Sequence, residues 1–248
     1  MTTALVDERI SYTCERELLI RGFHTVRLPA QPTLPPPIAS HPDTLLFYHD
    51  NEIITSADYC ERASYVFSDL RVMHPDVKIT FTEDILGNEY PKDVPFNALA
   101  LSDMLFARED SLSPAVARHA AERGMKIVGT KQGYPACATL ALSQTAVITA
   151  DEGLKKTYEA HGIDVTLIRH GGITLAPYEY GFIGGASGVF CDKVYFLGDY
   201  TTHPDYKIIE EAIYSHGMTP VSLSDEPLAD LGGIVFIKQG ADGNGNGG

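Results

Sequence analysis

The chain has 248 residues, of which 44% are hydrophobic, enough for one large domain with its own core. Its formal net charge of −14 argues against a broad nucleic-acid surface or a patch for anionic membranes. No apolar run approaches the roughly 18 residues of a membrane span, and Asp7, Glu8 and Arg9 stand where a signal peptide would need an apolar stretch. Cys14, Cys60, Cys137 and Cys191 lie far apart and form no CxxC pair. The expectation is reduced thiols in a cytoplasm, not a disulfide framework or a zinc site.

In chain order, the first predicted elements are a helix over about Glu8–Arg21 and a strand over Phe23–Leu28. The proline-rich stretch Pro29 to Pro37, with Gln31 and Thr33, reads as a stiff surface linker. A hairpin follows, in which Leu45–Tyr48 and Ile53–Thr55 flank the polar turn His49-Asp50-Asn51-Glu52. Asp58 is placed to cap the next helix, which stops at His74-Pro75 and leads into Val77-Lys78-Ile79. The order strand, turn, strand, helix, strand then restarts. Leu99-Ala100-Leu101-Ser102 reappears as Leu140-Ala141-Leu142-Ser143. Ile53-Ile54-Thr55-Ser56-Ala57-Asp58 reappears as Val147-Ile148-Thr149-Ala150-Asp151, with Asp199 in the equivalent place later.

A basic residue followed by Gly marks each helix-to-strand passage: Arg21-Gly22, Arg123-Gly124, His161-Gly162 and His216-Gly217. A Gly just past a helix takes the left-handed conformation that ends it. Four complete units begin near Thr44, Ala98, Ala138 and Ala186. The N-terminus then supplies a helix and a strand, and Ile234–Ile237 supplies only an opening strand. Each fragment alone would leave an unpaired edge, so the two ends are expected to complete a fifth unit and close a ring. The predicted organisation is one domain over 1–239 with a disordered Gly/Asn tail over 240–248.

A ring of five such ββαβ units resembles the pentein fold, a five-fold pseudosymmetric α/β-propeller, over about Asp7 to Ile237. Its members include arginine deiminases, dimethylarginine dimethylaminohydrolases and amidinotransferases. Tyr180-Gly181-Phe182-Ile183-Gly184-Gly185-Ala186-Ser187-Gly188 resembles a bacterial branch of this guanidino-group-modifying fold. The resemblance implies a small cationic guanidino or amino ligand, handled by a Cys nucleophile, a His acid/base and carboxylates that hold the guanidinium.

In a ring of this kind the segments before the opening strands face a common pocket. They bring forward Cys137 as nucleophile and His41 as acid/base, since His41-Pro42-Asp43-Thr44 resembles the deiminases' His-Leu-Asp-Thr. Asp43, Asn97, Gly184, Gly185, Ser187 and Asp230 are the candidate substrate-binding residues. No metal or cofactor is expected, and no nucleic-acid or membrane partner. The residues also depart from the resemblance. Ile183 and Ala186 stand where the deiminases' Glu-Gly-Gly-Asp segment carries carboxylates. The nucleophile of the family sits in its last repeat, whereas here that place holds Gly233 and Ile234. Two readings stay open: a Cys-dependent amidinohydrolase, deiminase or transferase, and a non-catalytic protein that binds a small ligand or a macromolecule.

Overall fold

The computed structural model describes residues 2–238, and the tail expected over 240–248 lies outside the described residues. The chain starts with strand β1 (Thr3–Asp7), helix α1 (Tyr12–Ile20) and β2 (His24–Leu28). A short helix α2 (Pro42–Leu45) leads into β3 (Leu46–His49), β4 (Glu52–Ser56), α3 (Ala57–Arg62), α4 (Ser64–Met73) and β5 (Lys78–Thr82). Next come β6 (Leu99–Leu101), β7 (Met104–Ala107), α5 (Pro114–Glu122) and β8 (Lys126–Gly129). They are followed by β9 (Thr139–Ser143), β10 (Ala146–Thr149), α6 (Glu152–Glu159) and β11 (Asp164–Leu167). After β12 (Ile173–Thr174), the last elements are β13 (Ser187–Phe190), β14 (Lys193–Phe196), α7 (Tyr206–Ser215), β15 (Thr219–Ser222), β16 (Leu228–Ala229) and β17 (Val235–Ile237).

These elements form a mixed α/β fold with five three-stranded sheets of one pattern. An opening strand pairs antiparallel with a middle strand, which pairs parallel with the strand beyond the helix. The sheets are β17-β1-β2, β3-β4-β5, β6-β7-β8, β9-β10-β11 and β13-β14-β15. The middle strands are the buried ones. Every residue of β1, β4 and β10 is buried, as expected for strands covered on both faces. Four apolar clusters knit consecutive sheets together. Leu5, Ile53 and Leu105 share one, and Phe106 and Val147 share a second. Ile148 and Phe196 share the third. In the fourth, Val6 and Phe23 of the first sheet meet Tyr195 of the last, with the Phe23 and Tyr195 rings edge-to-face at 5.3 Å.

Local signals act as their chemistry dictates. Asp50 and Asn51 both have positive φ, 47° and 56°, which makes the β3–β4 hairpin a two-residue type I′ turn. Gly22, Gly124, Gly162 and Gly217 have φ of 85°, 68°, 76° and 71°. After each, an amide reaches back to the helix: Phe23 N to Leu18 O, Met125 N to Ala120 O, Ile163 N to Tyr158 O and Met218 N to Ile213 O.

Several expectations need correction. The N-terminus contributes β1 as well as a helix and a strand, and β1 is the strand to which β17 pairs. Ser56, not Asp58, caps α3 by accepting from Tyr59 N at 3.1 Å, while Asp58 accepts from Gln31. Pro29–Pro37 links the first sheet to α2 with Pro32, Thr33 and Pro36 exposed, but it is anchored to the core. Gln31 and Leu34 are buried in it, and Arg9 holds the Pro37 carbonyl at 2.8 Å. No helix among the described residues is long and apolar enough to cross a membrane.

Because β1 is paired on one side only through β17, truncation after Ile234 should open a buried strand to solvent. Its expected outcome is loss of the cooperative thermal transition seen by circular dichroism. Leu5→Ala, which empties a fully buried site, should cost about 2–5 kcal/mol. A melting curve unchanged by both alterations would show that the terminal sheet does not support the domain.

Candidate active site

The five segments that precede the opening strands are joined to one another by hydrogen bonds that return to their starting point. Asn97 Nδ2 donates to Asp43 O at 3.2 Å, and Asn97 Oδ1 accepts from Ala136 N at 2.9 Å. Gly185 N donates to Cys137 O, and Leu231 N and Gly233 N both donate to Gly185 O. Asp43 N then donates to Gly232 O, which closes the circuit. Gly232 and Gly233 have φ of 70° and 75°. A Cβ on Gly232 would stand 2.3 Å from the His41 Cβ, and one on Gly185 would stand 2.0 Å from Asp230 Oδ1 and 2.7 Å from Cys137 Sγ. The glycines are there because a site is pressed against them.

That site is the group His41, Cys137 and Asp230, all buried. Cys137 Sγ lies 3.6 and 3.5 Å from the two Asp230 oxygens. His41 Nδ1 lies 3.8 Å from Asp230 Oδ1, and its Nε2 lies 3.8 Å from Asp7 Oδ2 without a hydrogen-bond partner. Asp230 also accepts from Phe182 N at 2.8 Å and Gly232 N at 3.0 Å. Asp7 is held in turn by Arg9 at 2.6 Å and by Ser40 Oγ at 2.7 Å. The Pro42 at the first position of α2 presets the turn on which His41 stands.

His41, Cys137 and Asp230 line a cavity of ≈ 530 Å³. Its wall is aromatic and acidic: Tyr90, Tyr134, Tyr178, Tyr180 and Phe182, with Asp93 and Glu179. Burial pushes the Cys137 thiol well up, and the charges of Asp230 and Asp43 push it further. The same burial, reinforced by Asp230 and opposed by His41, lifts Asp43 to about 6. Carboxylates surround the Cys137 thiol, and burial with their charge keeps it protonated in the absence of a ligand.

The remaining expected residues divide. Asn97 is buried and serves as the clasp between three segments, outside the cavity wall. Ser187 is buried with its hydroxyl on Ile183 O at 2.7 Å, so it has no donor to offer a ligand. Gly184 packs where a Cβ would meet the Ala136 and Thr139 carbonyls at 2.4 Å. Asp7, Asp93 and the aromatic wall were not found from the sequence. Donor atoms of His41, Cys137 and Asp230 lie within 4.8 Å of one another, a set of N, S and O ligands that suits an ion such as zinc. Ligation would require the raised thiol to lose its proton.

The family model that matches the sequence spans residues 5–235. The chain belongs to the family of unknown function DUF6873. No curated protein matches it by sequence. Among solved structures, the chain is similar to an amidinotransferase from Microseira wollei in the saxitoxin biosynthetic pathway, with a TM-score of 0.58 and 10% identity over 93% of this chain and 79% of that one. It is similar to inosamine-phosphate amidinotransferase from Streptomyces griseus, with a TM-score of 0.57 and 14% identity over 94% and 82%. It is also similar to dimethylarginine dimethylaminohydrolase from Pseudomonas aeruginosa, a Cys-to-Ser variant complexed with citrulline, with a TM-score of 0.55 and 12% identity over 90% and 91%. These are guanidino-modifying proteins of the pentein fold, and this DUF6873 chain has their mixed α/β fold.

Asp43 has a folded-state value near 6, above its ordinary 3.8. The folded state therefore binds more protons than the unfolded state between those values, and stability falls as pH rises through them. Asp43→Asn should stabilise the ligand-free protein at pH 8 by roughly 1–3 kcal/mol and much less at pH 4. Thermal melts at the two pH values check this, and equal shifts at both would refute the assignment.

Proposed function

We propose that the chain binds a small guanidinium or amidinium cation in the cavity and modifies it through Cys137, with the five sheets closing as the α/β-propeller. The observation that carries the reading is the buried thiol 3.5 Å from Asp230, beside His41, in a cavity walled by carboxylates. The circuit of hydrogen bonds through the five segments and the apolar cluster joining first and last sheets support the ring. The fold likeness to guanidino-modifying proteins supports the substrate class.

The chemistry follows from the charges. A planar cation seated in the cavity against Asp230 and the Cys137 thiol would offset the carboxylates and draw the thiol toward its thiolate. The proton passes to His41 or to Asp43, which burial prepares to accept it. The thiolate sulfur forms a bond to the amidino carbon, and the protonated His41 delivers a proton to the departing amine as the C–N bond breaks. The S-amidino group that a guanidinium leaves on Cys137 is then attacked by water, giving a urea and restoring the thiol, or by an acceptor amine, giving amidino transfer; an amidinium leaves a thioimidate, which water converts to an amide. Asp230, on the cavity wall, orients the cation, and Asp43, beside Cys137 and His41, adds negative charge behind it.

A non-catalytic binding role is the second reading, favoured by the elevated thiol, which is a poor nucleophile until a ligand arrives. The four cysteines are unpaired, which fits a reducing compartment such as the cytoplasm.

Two electrophiles separate the readings. Neutral iodoacetamide at pH 7.5 should label exposed Cys191 before buried Cys137. The cation 2-chloroacetamidine should reverse that order by at least tenfold, read by peptide mass spectrometry, and Asp230→Asn should remove the reversal. If chloroacetamidine also labels Cys191 first, the catalytic reading fails and the binding role replaces it.

A further inference from the structure

The cavity wall holds a second carboxylate that neither the Cys137 group nor the circuit of segments uses. Asp93 is 3% exposed and belongs to the loop before β6. Its Oδ2 accepts from the Tyr134 hydroxyl, and its Oδ1 has no partner although the atom is buried. A buried acceptor without a donor is costly unless something supplies one. Both Asp93 and Tyr134 line the same cavity as Cys137. Tyr134 cannot compete for a ligand as an anion, because burial and its bond to Asp93 hold its hydroxyl protonated.

Around this pair the wall is built of rings. Tyr90 and Tyr134 have centroids 6.0 Å apart and inclined at 30°, Tyr134 and Phe182 are 6.4 Å apart at 34°, and Tyr180 adjoins Phe182 at 6.4 Å. The lining residues include no Lys or Arg among the described residues, against three carboxylates, Asp93, Glu179 and Asp230. Arg108 lies over the Tyr90 ring at 4.8 Å, but its guanidinium is taken by Asp110 and by the Tyr90 hydroxyl. The donors on the wall are His41, Asn88 and hydroxyl groups, with no permanent cation among them, and an anion placed there would face the like charge of three carboxylates. Flat π faces beside carboxylates instead suit a cation with an apolar or aromatic body.

We infer that the cavity is selective for guanidines and amidines that carry no anionic group and have a flat apolar body, with Asp93 as the residue that receives a ligand N–H. This deepens the reading of a guanidinium site and rests on it. It separates this chain's ligands from amino acids and phosphate esters, whose anions would need a basic partner.

The test is a matched set of probes measured by isothermal titration calorimetry on the intact chain. Phenylguanidine and 4-guanidinobenzoate differ only in a carboxylate, and methylguanidine lacks the ring. Phenylguanidine is expected to bind at least tenfold more tightly than either of the others. Asp93→Asn keeps an oxygen to accept from Tyr134 and removes the charge. It should weaken phenylguanidine at least tenfold while the ligand-free melting temperature moves little. Tyr134→Phe, which frees Asp93 from its hydroxyl without changing the ring, should leave phenylguanidine ahead of 4-guanidinobenzoate. Equal or tighter binding of 4-guanidinobenzoate, or an unaltered affinity in Asp93→Asn, would overturn the inference and leave the guanidinium site standing. Failure of all three guanidines to bind would overturn both.

Discussion

One carboxylate, that of Asp230, receives the amides of Phe182 and Gly232 and faces both the thiol of Cys137 and the imidazole of His41. Its place depends on glycine on every side. Cβ atoms on Gly181 and Gly185 would stand 2.4 and 2.0 Å from atoms of its side chain. The left-handed pair Gly232-Gly233 turns the chain over His41 immediately after it. The hydrogen-bond circuit runs through the same segments, so the bonds that join them also hold the group of His41, Cys137 and Asp230. Any change that moves one segment moves the chemistry with it, because close-packed interiors transmit displacement instead of absorbing it.

The departures from the deiminase pattern acquire a physical meaning in this setting. Ile183 and Ala186, standing where that pattern has carboxylates, are fully in the core, next to Phe196 and Leu228 in one apolar cluster. The negative charge is supplied from other segments: Asp43 beside His41, Asp230 before the glycine pair, and Asp93 on the wall. The place where the pentein enzymes carry their nucleophile holds Gly233 and Ile234, and Gly232 just before it has no room for any side chain. The sulfur beside Asp230 comes instead from another segment, at Cys137.

Much of the architecture was legible because it is written in local chemistry. Asp50-Asn51 can adopt the left-handed turn a tight hairpin needs, and the glycines after four helices end them by the same conformational freedom. Strand β1 was missed for the opposite reason: five residues buried on both faces show no alternation to read. Cys137, His41 and Asp230 were legible through their shared position before opening strands. Asn97 and Ser187 occupy equivalent positions yet turn inward to backbone groups. Position along the strand determines closeness to the site, and the rotamer determines use. Asp93 and Asp7 were not legible, since a long loop of irregular structure and a buried central strand carry no pattern that singles out an acid.

A thiol enclosed by carboxylates is an inefficient nucleophile in isolation and a selective one in company. Burial and like charge keep Cys137 protonated in the free protein, which shields it from neutral and anionic electrophiles alike. Under the proposed function a bound cation would reverse both effects: it would neutralise the carboxylates and lower the cost of the thiolate. On that reading the crowded carboxylates of the empty cavity would become a source of binding energy for a cationic ligand, since whatever binds the folded state stabilises it. The acidic wall and the raised thiol are two faces of one arrangement, in which, under the proposed function, recognition of charge would precede reaction.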